Sequence, residues 1–77
     1  MADLNLLLKP LEEQAYIAYS THSADILDIL SNSNSTLVKM TVLANPCVSE
    51  ETLKRKIDDE DPKVWHKAQE LLSKHKK

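Results

Sequence analysis

The side chains that could bind a metal ion or act as nucleophiles are few in this chain of 77 residues, and they are widely separated. No two of the candidate metal ligands have the i, i+4 spacing that places both on one helix face. Cysteine occurs once, with no adjacent histidine that could act as its base. The sequence therefore predicts no metal, no cofactor and no catalytic residue among these candidates, which are His22, His66, His75 and Cys47.

A run of four acidic residues, Asp58 to Asp61, is the remaining candidate for acid–base chemistry. Two neighbouring carboxylates can share a proton and so divide the roles of acid and base. Because the run leads into the helix start Asp61-Pro62, capping and solvation explain it better. The sequence has no glycine, which disfavours glycine-dependent phosphate, dinucleotide and calcium loops. We therefore expect the protein not to be an enzyme.

Basic side chains in two neighbouring segments leave nucleic-acid binding open as an alternative function. The acidic run lies between these segments, and 10 Lys and Arg against 12 Asp and Glu give a net charge of -2. Such a surface has little net attraction for a phosphate backbone. The alternative is a nucleic-acid-binding helical repeat that uses Lys54, Arg55, Lys56, Lys63 and Lys67.

Length and composition place the chain among small globular domains. Hydrophobic residues make up 42% and charged residues 29% of residues 1–77, which is ordinary for one globular domain. A single cysteine cannot form an internal disulfide, and this favours a reducing, cytoplasmic location. The leucine-rich segment 4–8 is too short for a signal peptide or a membrane span. We expect a cytoplasmic protein with no membrane contact.

Apolar residues at helical spacing, together with helix boundary signals, predict five helices and no strand. The polar run 31–35 is interpreted as a turn, and the leucine-rich N-terminus allows one short extra turn. Asn45-Pro46 predicts a helix end, with Asn45 in the left-handed conformation that asparagine tolerates. The predicted helix starts carry a capping side chain or a proline suited to the first turn: Pro10, Ser23, Ser49 and Asp61-Pro62.

The predicted helices repeat along the chain. A 26-residue shift places positions 16–27 over positions 42–53, and one residue of slip near 30 and 57 is needed to bring Leu30 onto Ile57. A period of this size is typical of stacked helical repeats, in which no unit buries its own face without a neighbour. The shift predicts core stripes on three second helices: Leu11, Ala15 and Ala18; Leu37, Val38 and Val42; Val64, Ala68 and Leu71.

A leucine-rich short helix, a polar turn, a valine in the second helix and an Ala-Asn-Pro step follow one another here. The residues are Leu27 and Leu30, Asn32 to Asn34, Val38, and Ala44-Asn45-Pro46, followed by Leu53 and Ile57, Asp58 to Asp61, and Val64. This pattern, over about residues 16–72, resembles the leucine-rich repeat variant family. The resemblance implies an all-α, right-handed superhelix of paired short helices, broadly like HEAT repeats.

Two features of that family are not matched. Members usually have arginine after the second-helix valine, where this chain has Lys39 and Trp65. Some members also carry an iron–sulfur cluster on an added cysteine-rich segment, and Cys47 alone cannot supply the usual ligands.

The expected fold is therefore all-α: a single domain forming a short right-handed helical-repeat superhelix of about five helices, or two and a half helix pairs. Stacked helix pairs expose a continuous face, so we expect a non-enzymatic adaptor that binds another protein. Small size and acidic charge also suit an inhibitor. The stack has two unprotected ends, so weak self-association is expected, with the N-terminal leucines acting as a contact or as a cap.

The 26-residue shift also predicts the binding face, in three columns of residues. These columns are Glu13, Lys39 and Trp65; Gln14, Met40 and His66; Ile17, Leu43 and Gln69. Residues four apart share a helix face, so Glu13–Ile17, Lys39–Leu43 and Trp65–Gln69 form three parallel ridges. The expected result is an apolar patch with a polar edge: Ile17, Met40, Leu43 and Trp65, edged by Glu13, Lys39 and His66. Trp65 has a second interpretation, in which it covers the end of the core. The predicted protein-binding residues are Glu13, Ile17, Lys39, Met40, Leu43, Trp65 and His66.

Overall fold

The computed structural model describes residues 4–75, and it is all-helical over that range, without a strand. A 3₁₀ helix at Leu4–Leu8 precedes five α-helices. Five helices and a short extra N-terminal turn were expected from the sequence, and both are confirmed. The α-helices are α1 (Leu11–Ser20), α2 (Ala24–Leu30), α3 (Thr36–Ala44), α4 (Glu50–Lys56) and α5 (Pro62–His75).

Short polar side chains begin four of the five α-helices. Ser23 and Ser49 accept hydrogen bonds from the backbone N–H groups three residues later, at 3.2 and 3.1 Å, as the sequence predicted. Ser35 does the same for α3, at 3.3 Å, from within the run interpreted only as a turn. Asp61 precedes Pro62 and accepts from the Lys63 N–H at 3.0 Å. These caps satisfy backbone donors that have no partner inside the helix.

Asn45 ends α3, but not in the way the sequence suggested. Its backbone is extended, with φ -77° and ψ 127°, and none of the described residues has positive φ. Its side chain instead donates to the carbonyl oxygens of Ala18 and Thr21, at 2.9 and 2.8 Å, and accepts from the Cys47 N–H at 2.8 Å. The helix therefore stops at a buried tertiary contact with the end of α1, and the predicted left-handed cap is wrong.

The helices pack around one core in which α3 lies against both α1 and α5. Helix α4 packs on α5, and the 3₁₀ helix packs on α2. Of the predicted stripes, Ala15 and Leu71 are partly buried. Leu11 and Leu37 are 52% and 65% exposed, so their assignment to the core is wrong. The predicted core residues that are fully buried are Ala18, Val38, Val42, Val64 and Ala68.

The N-terminal leucines act as a cap. Leu6 is buried in the core, Leu7 packs against it, and Leu8 is exposed. The Gln14 carboxamide fixes this segment on α1, because it donates to the Leu7 and Lys9 carbonyls at 3.2 and 2.8 Å. The side chain of Leu4 lies outside the described residues.

The helix boundaries can be compared with the predicted 26-residue shift. The bounds of α2 and α4 agree with the 26-residue shift at both ends, without the predicted one-residue slip. Their C-caps, Ser31 and Ile57, have nearly the same backbone angles, φ -65° and ψ -14° against φ -67° and ψ -15°. The turns that follow also match, with a side-chain oxygen of Ser33 or Asp59 accepting from the N–H two residues later.

Helices α1 and α3 follow a different offset. Helix α1 ends at Ser20 and α3 ends at Ala44, so the offset between them is two residues shorter than the 26-residue shift. The reason is that the connection 21–23 is two residues shorter than the connection 45–49. The buried residues follow the same shorter offset, because Gln14 and Ala18 of α1 correspond to Val38 and Val42 of α3. A single 26-residue shift therefore misplaced α1.

We predict that Asn45→Ala lowers the free energy of unfolding by about 3 kcal/mol, because one buried and two partly buried backbone groups lose their partner. Asn34→Ala is the matched control, since Asn34 is exposed, and should change stability by less than about 0.5 kcal/mol. Urea denaturation measures both. Equal midpoints for the two variants would show that the Asn45 contact does not hold the helices together.

Candidate protein-binding surface

The residues predicted to bind a partner fall into three environments. Leu43 is 2% exposed and belongs to the core, so it cannot contribute to a surface in this conformation. Glu13 and His66 are exposed. The remaining four residues are half-buried: Ile17, Lys39, Met40 and Trp65. The structure therefore does not bring the seven residues together as one exposed face.

The correct offset between α1 and α3 changes which residues lie in line. Tyr16, and not Gln14, occupies the position equivalent to Met40 and His66, because the offset from α1 to α3 is two residues shorter than the offset from α3 to α5. Gln14 is 2% exposed and tied to the 3₁₀ helix. The predicted column Gln14, Met40 and His66 is therefore replaced by Tyr16, Met40 and His66.

Three large apolar side chains of α1 and α3 are exposed, and the predicted set omitted them. Tyr16 is 69% exposed, Tyr19 is 78% exposed and Leu37 is 65% exposed. At about 100° per residue, Tyr16 lies about 200° around α1 from the buried Gln14, so it points away from the core. We call Tyr16, Tyr19, Leu37, Met40 and His66 the outer surface. A helical wheel of α1 alone, drawn on Gln14 and Ala18, would have found the tyrosines.

Trp65 lies beside the outer surface. Its ring meets the His66 ring edge-on, with centroids 6.1 Å apart and planes at 62°. It is half-buried, so part of its ring is exposed.

Lys39 has a structural partner. Its Nζ lies 3.1 Å from both carboxylate oxygens of Asp59, in the turn between α4 and α5. The two side chains are only 12% and 8% exposed. Lys56 approaches the same carboxylate at 3.8 Å. Lys39 therefore joins α3 to the next helix pair, and its ammonium group is not available to a partner.

Lys56 is an unfavourable member of this cluster. Burial lowers the pKa of Lys56, Asp59 opposes that effect, and Lys39 and Arg55 lower the pKa further. By the 26-residue shift, Lys56 in α4 corresponds to Leu30 in α2, and Leu30 is fully buried. A cation thus occupies a place that the fold otherwise fills with leucine.

We predict that Lys56→Leu raises the free energy of unfolding by about 1 kcal/mol at neutral pH, because Asp59 keeps Lys39 as its partner. The lowered pKa means that the unfolded chain binds more protons than the folded chain as pH approaches 10.5, so wild-type stability should rise over that range. The variant should lack this rise in urea melts. Lys54→Leu, at an exposed lysine, is the control and should leave the pH dependence unchanged.

Polar side chains also join α2 to α4. The Thr52 hydroxyl donates to the Asp28 carboxylate at 2.9 Å, and Arg55 forms an ion pair with the same carboxylate. Thr52 is fully buried, so this contact lies between the two helices and not on their outside. Together with Lys39 and Asn45, these contacts connect parts of the chain that are 20–27 residues apart.

The Thr36 hydroxyl makes the corresponding contact between α3 and α5, donating to the Asp61 carboxylate. This bond and the Lys63 backbone N–H hold the pKa of Asp61 below its ordinary value. The ionised form of Asp61 is therefore the one that the fold stabilises.

We predict that Thr36→Val raises the pKa of Asp61 toward its ordinary value of 3.8. A depressed pKa contributes stability above the unfolded value and loses it as pH falls, so the stability difference from wild type should shrink below about pH 4. Carboxyl NMR titration and urea melts measure the two effects. Thr41→Val is the control, because its hydroxyl donates to the Leu37 carbonyl at 2.8 Å. The same Asp61 titration in all three proteins would contradict the assignment.

The basic residues proposed for nucleic-acid binding do not form one unpaired surface. Arg55 pairs with Asp28, Lys56 is half-buried beside Asp59, and Lys67 lies 3.8 Å from Glu70. Lys54 is 4.0 Å from Glu50, while Lys63 is exposed at the start of α5. Nearby carboxylates therefore offset most of this charge.

An open groove of about 430 Å³ lies between α4 and α5. Apolar side chains form part of it and charged residues of α4 form one edge. The lining residues are Glu50, Lys54, Ile57, Gln69, Leu72 and Ser73.

No three His, Cys, Asp or Glu side chains within the described range are grouped so that they could hold a metal ion. None of the described helices combines the length and the apolar character needed to cross a membrane. The side chain of His75, one of the candidate ligands, lies outside the described residues. Comparisons of the chain with family models, with curated proteins and with solved structures found no match.

Proposed function

We propose that the chain is a non-enzymatic helical-repeat protein that binds another protein, as an adaptor or inhibitor, through the outer surface. The observation that carries this proposal is the exposure of Tyr16, Tyr19 and Leu37, at 69%, 78% and 65%. These side chains account for most of the large apolar groups that the described fold leaves in water. Buried aromatic and aliphatic anchors dominate the energy of protein interfaces, so such a surface suits a protein partner.

Tyrosine is well suited to this role. Its ring offers a large contact area with only two rotatable side-chain bonds, and its hydroxyl can bond at the rim of an interface. On α1, the carboxylates of Glu12 and Glu13 lie beside the tyrosines and are exposed. The outer surface thus combines apolar anchors with a polar edge, as expected where a partner binds reversibly.

The proposed architecture is a short right-handed superhelix of stacked helix pairs, similar to the leucine-rich repeat variant family. The packing of α3 between α1 and α5, and the 26-residue agreement of the α2 and α4 bounds, support it. In that arrangement Lys39 holds consecutive pairs together by binding Asp59. The single cysteine, Cys47, is consistent with a cytoplasmic location.

The test is affinity capture with quantitative mass spectrometry, using wild-type protein and the double variant Tyr16→Ser, Leu37→Ser as baits. Both positions are exposed, so the free variant should unfold within about 0.5 kcal/mol per site of wild type. Loss of two anchors should weaken the specific partner by at least tenfold, or about 1.4 kcal/mol.

The matched control is Leu8→Ser, which removes a leucine that is 80% exposed but lies on the N-terminal 3₁₀ helix, away from the outer surface. This variant should capture the same partner as wild type. A partner retained equally by all three baits would contradict the assignment of the outer surface.

A further inference from the structure

The groove between α4 and α5 exists because α5 does not stop where α3 does. Helix α3 ends at Ala44, before the Asn45 contact, whereas α5 continues to His75 and so extends beyond the position equivalent to Ala44. The added turn places Leu72 along α4, opposite Ile57, where both residues are partly buried. The result is an apolar channel with an open side.

The preceding helix pair shows what this kind of face is used for. By the 26-residue offset, Asp28 and Leu43 occupy the positions of Lys54 and Gln69, which line the groove. In that pair Leu43 is buried, and Asp28 is bound by Thr52 and Arg55 of α4. At the corresponding positions of α4 and α5, Lys54 and Gln69 are exposed.

We propose that this groove binds an amphipathic α-helix of another protein, and that this helix meets Lys54 of α4 in the way that α4 meets Asp28 of α2. The groove includes Lys54, which matches Asp28 in the contact between α2 and α4, and its volume lies within the usual range of about 300–1,000 Å³ for binding sites. The occupant presents apolar residues at i, i+3 or i+4 spacing to Ile57 and Leu72.

Charge identifies the partner helix further. Inside the molecule, the cation Arg55 of the incoming helix meets the anion Asp28 of the receiving helix. At the groove the receiving residue is Lys54, so the polarity of the pair is reversed. Lys54 is 62% exposed, and Glu50 approaches it only at 4.0 Å. The partner helix therefore carries Asp or Glu where α4 carries Arg55.

This polarity suggests a defined probe. An acetylated and amidated peptide spanning residues 48–60, which contains α4, supplies the apolar face and the spacing of the internal interface. The same peptide with Arg55→Glu supplies the reversed charge. We expect the Arg55→Glu peptide to bind the full-length protein at least tenfold more tightly than the unmodified peptide, in NMR titrations that follow the amides of Gln69 and Leu72.

Substitutions in the protein separate the charge from the apolar contact. Lys54→Glu should reverse the order of the two peptides, and Leu72→Ser should weaken both. Lys63→Glu is the matched control, because Lys63 is an exposed cation that does not line the groove. It should leave the order unchanged. The variant Tyr16→Ser, Leu37→Ser should also bind both peptides normally, so failure of the outer-surface proposal and failure of this one are distinguishable.

The proposal is overturned if neither peptide shifts Gln69 and Leu72 up to millimolar concentration, or if Lys54→Glu leaves the preference unchanged. Light scattering of the protein alone supplies one more decisive outcome. An increase in mass with concentration that Leu72→Ser abolishes would assign the groove to a second copy of this chain, and would also overturn it.

Discussion

The carboxamide of Asn45 joins three parts of the chain at once, and the positions of the helices depend on it. By bonding to the end of α1 and to the backbone that leads into α4, it fixes where α3 stops and in which direction the chain continues. Because one of these backbone groups is buried and two are partly buried, an apolar substitute would leave them poorly paired. The contact therefore specifies one arrangement, whereas apolar packing alone tolerates several.

The other long-range polar contacts also join distant parts of the chain. Thr36 binds Asp61, Lys39 binds Asp59, and Thr52 binds Asp28, so each contact links one helix pair to the next. The core residues between them are mostly leucine, valine and alanine, whose packing is not strongly directional. Polar contacts thus set the relative positions of the helices, and apolar contacts supply most of the stability. All of them join neighbouring helix pairs, and a topology of such local contacts is typical of rapidly folding helical proteins.

The local features of the fold could be predicted from the sequence, because they depend on few neighbouring residues. Ser23 and Ser49 carry the side chains that cap helices, and Asp61-Pro62 has the residues of a helix start, so those boundaries were found. The offset of α1 could not be found in this way. It depends on the connection 21–23, which is two residues shorter than the connection 45–49, and on the hydrogen bond from Asn45 to Thr21. Both are properties of the tertiary structure.

That one error also explains why the binding face was only partly predicted. Applied to α1, the 26-residue shift selected the buried Gln14 in place of the exposed Tyr16. Leu43 was misplaced for another reason, since it lies on the flank of α3 that is covered in the folded protein. Met40 and His66 were placed in line correctly, because α3 and α5 do follow the 26-residue offset.

Every helix in the described range ends without a residue of positive φ, and the chain contains no glycine. This affects the unfolded protein more than the folded one. An average chain of this length would contain about five glycines, since glycine makes up about 7% of residues. Each glycine replaced where the backbone permits it restricts the unfolded ensemble and adds about 0.4–1 kcal/mol to stability. The entropic cost of folding is therefore lowered by about 2–5 kcal/mol relative to an average chain of this length.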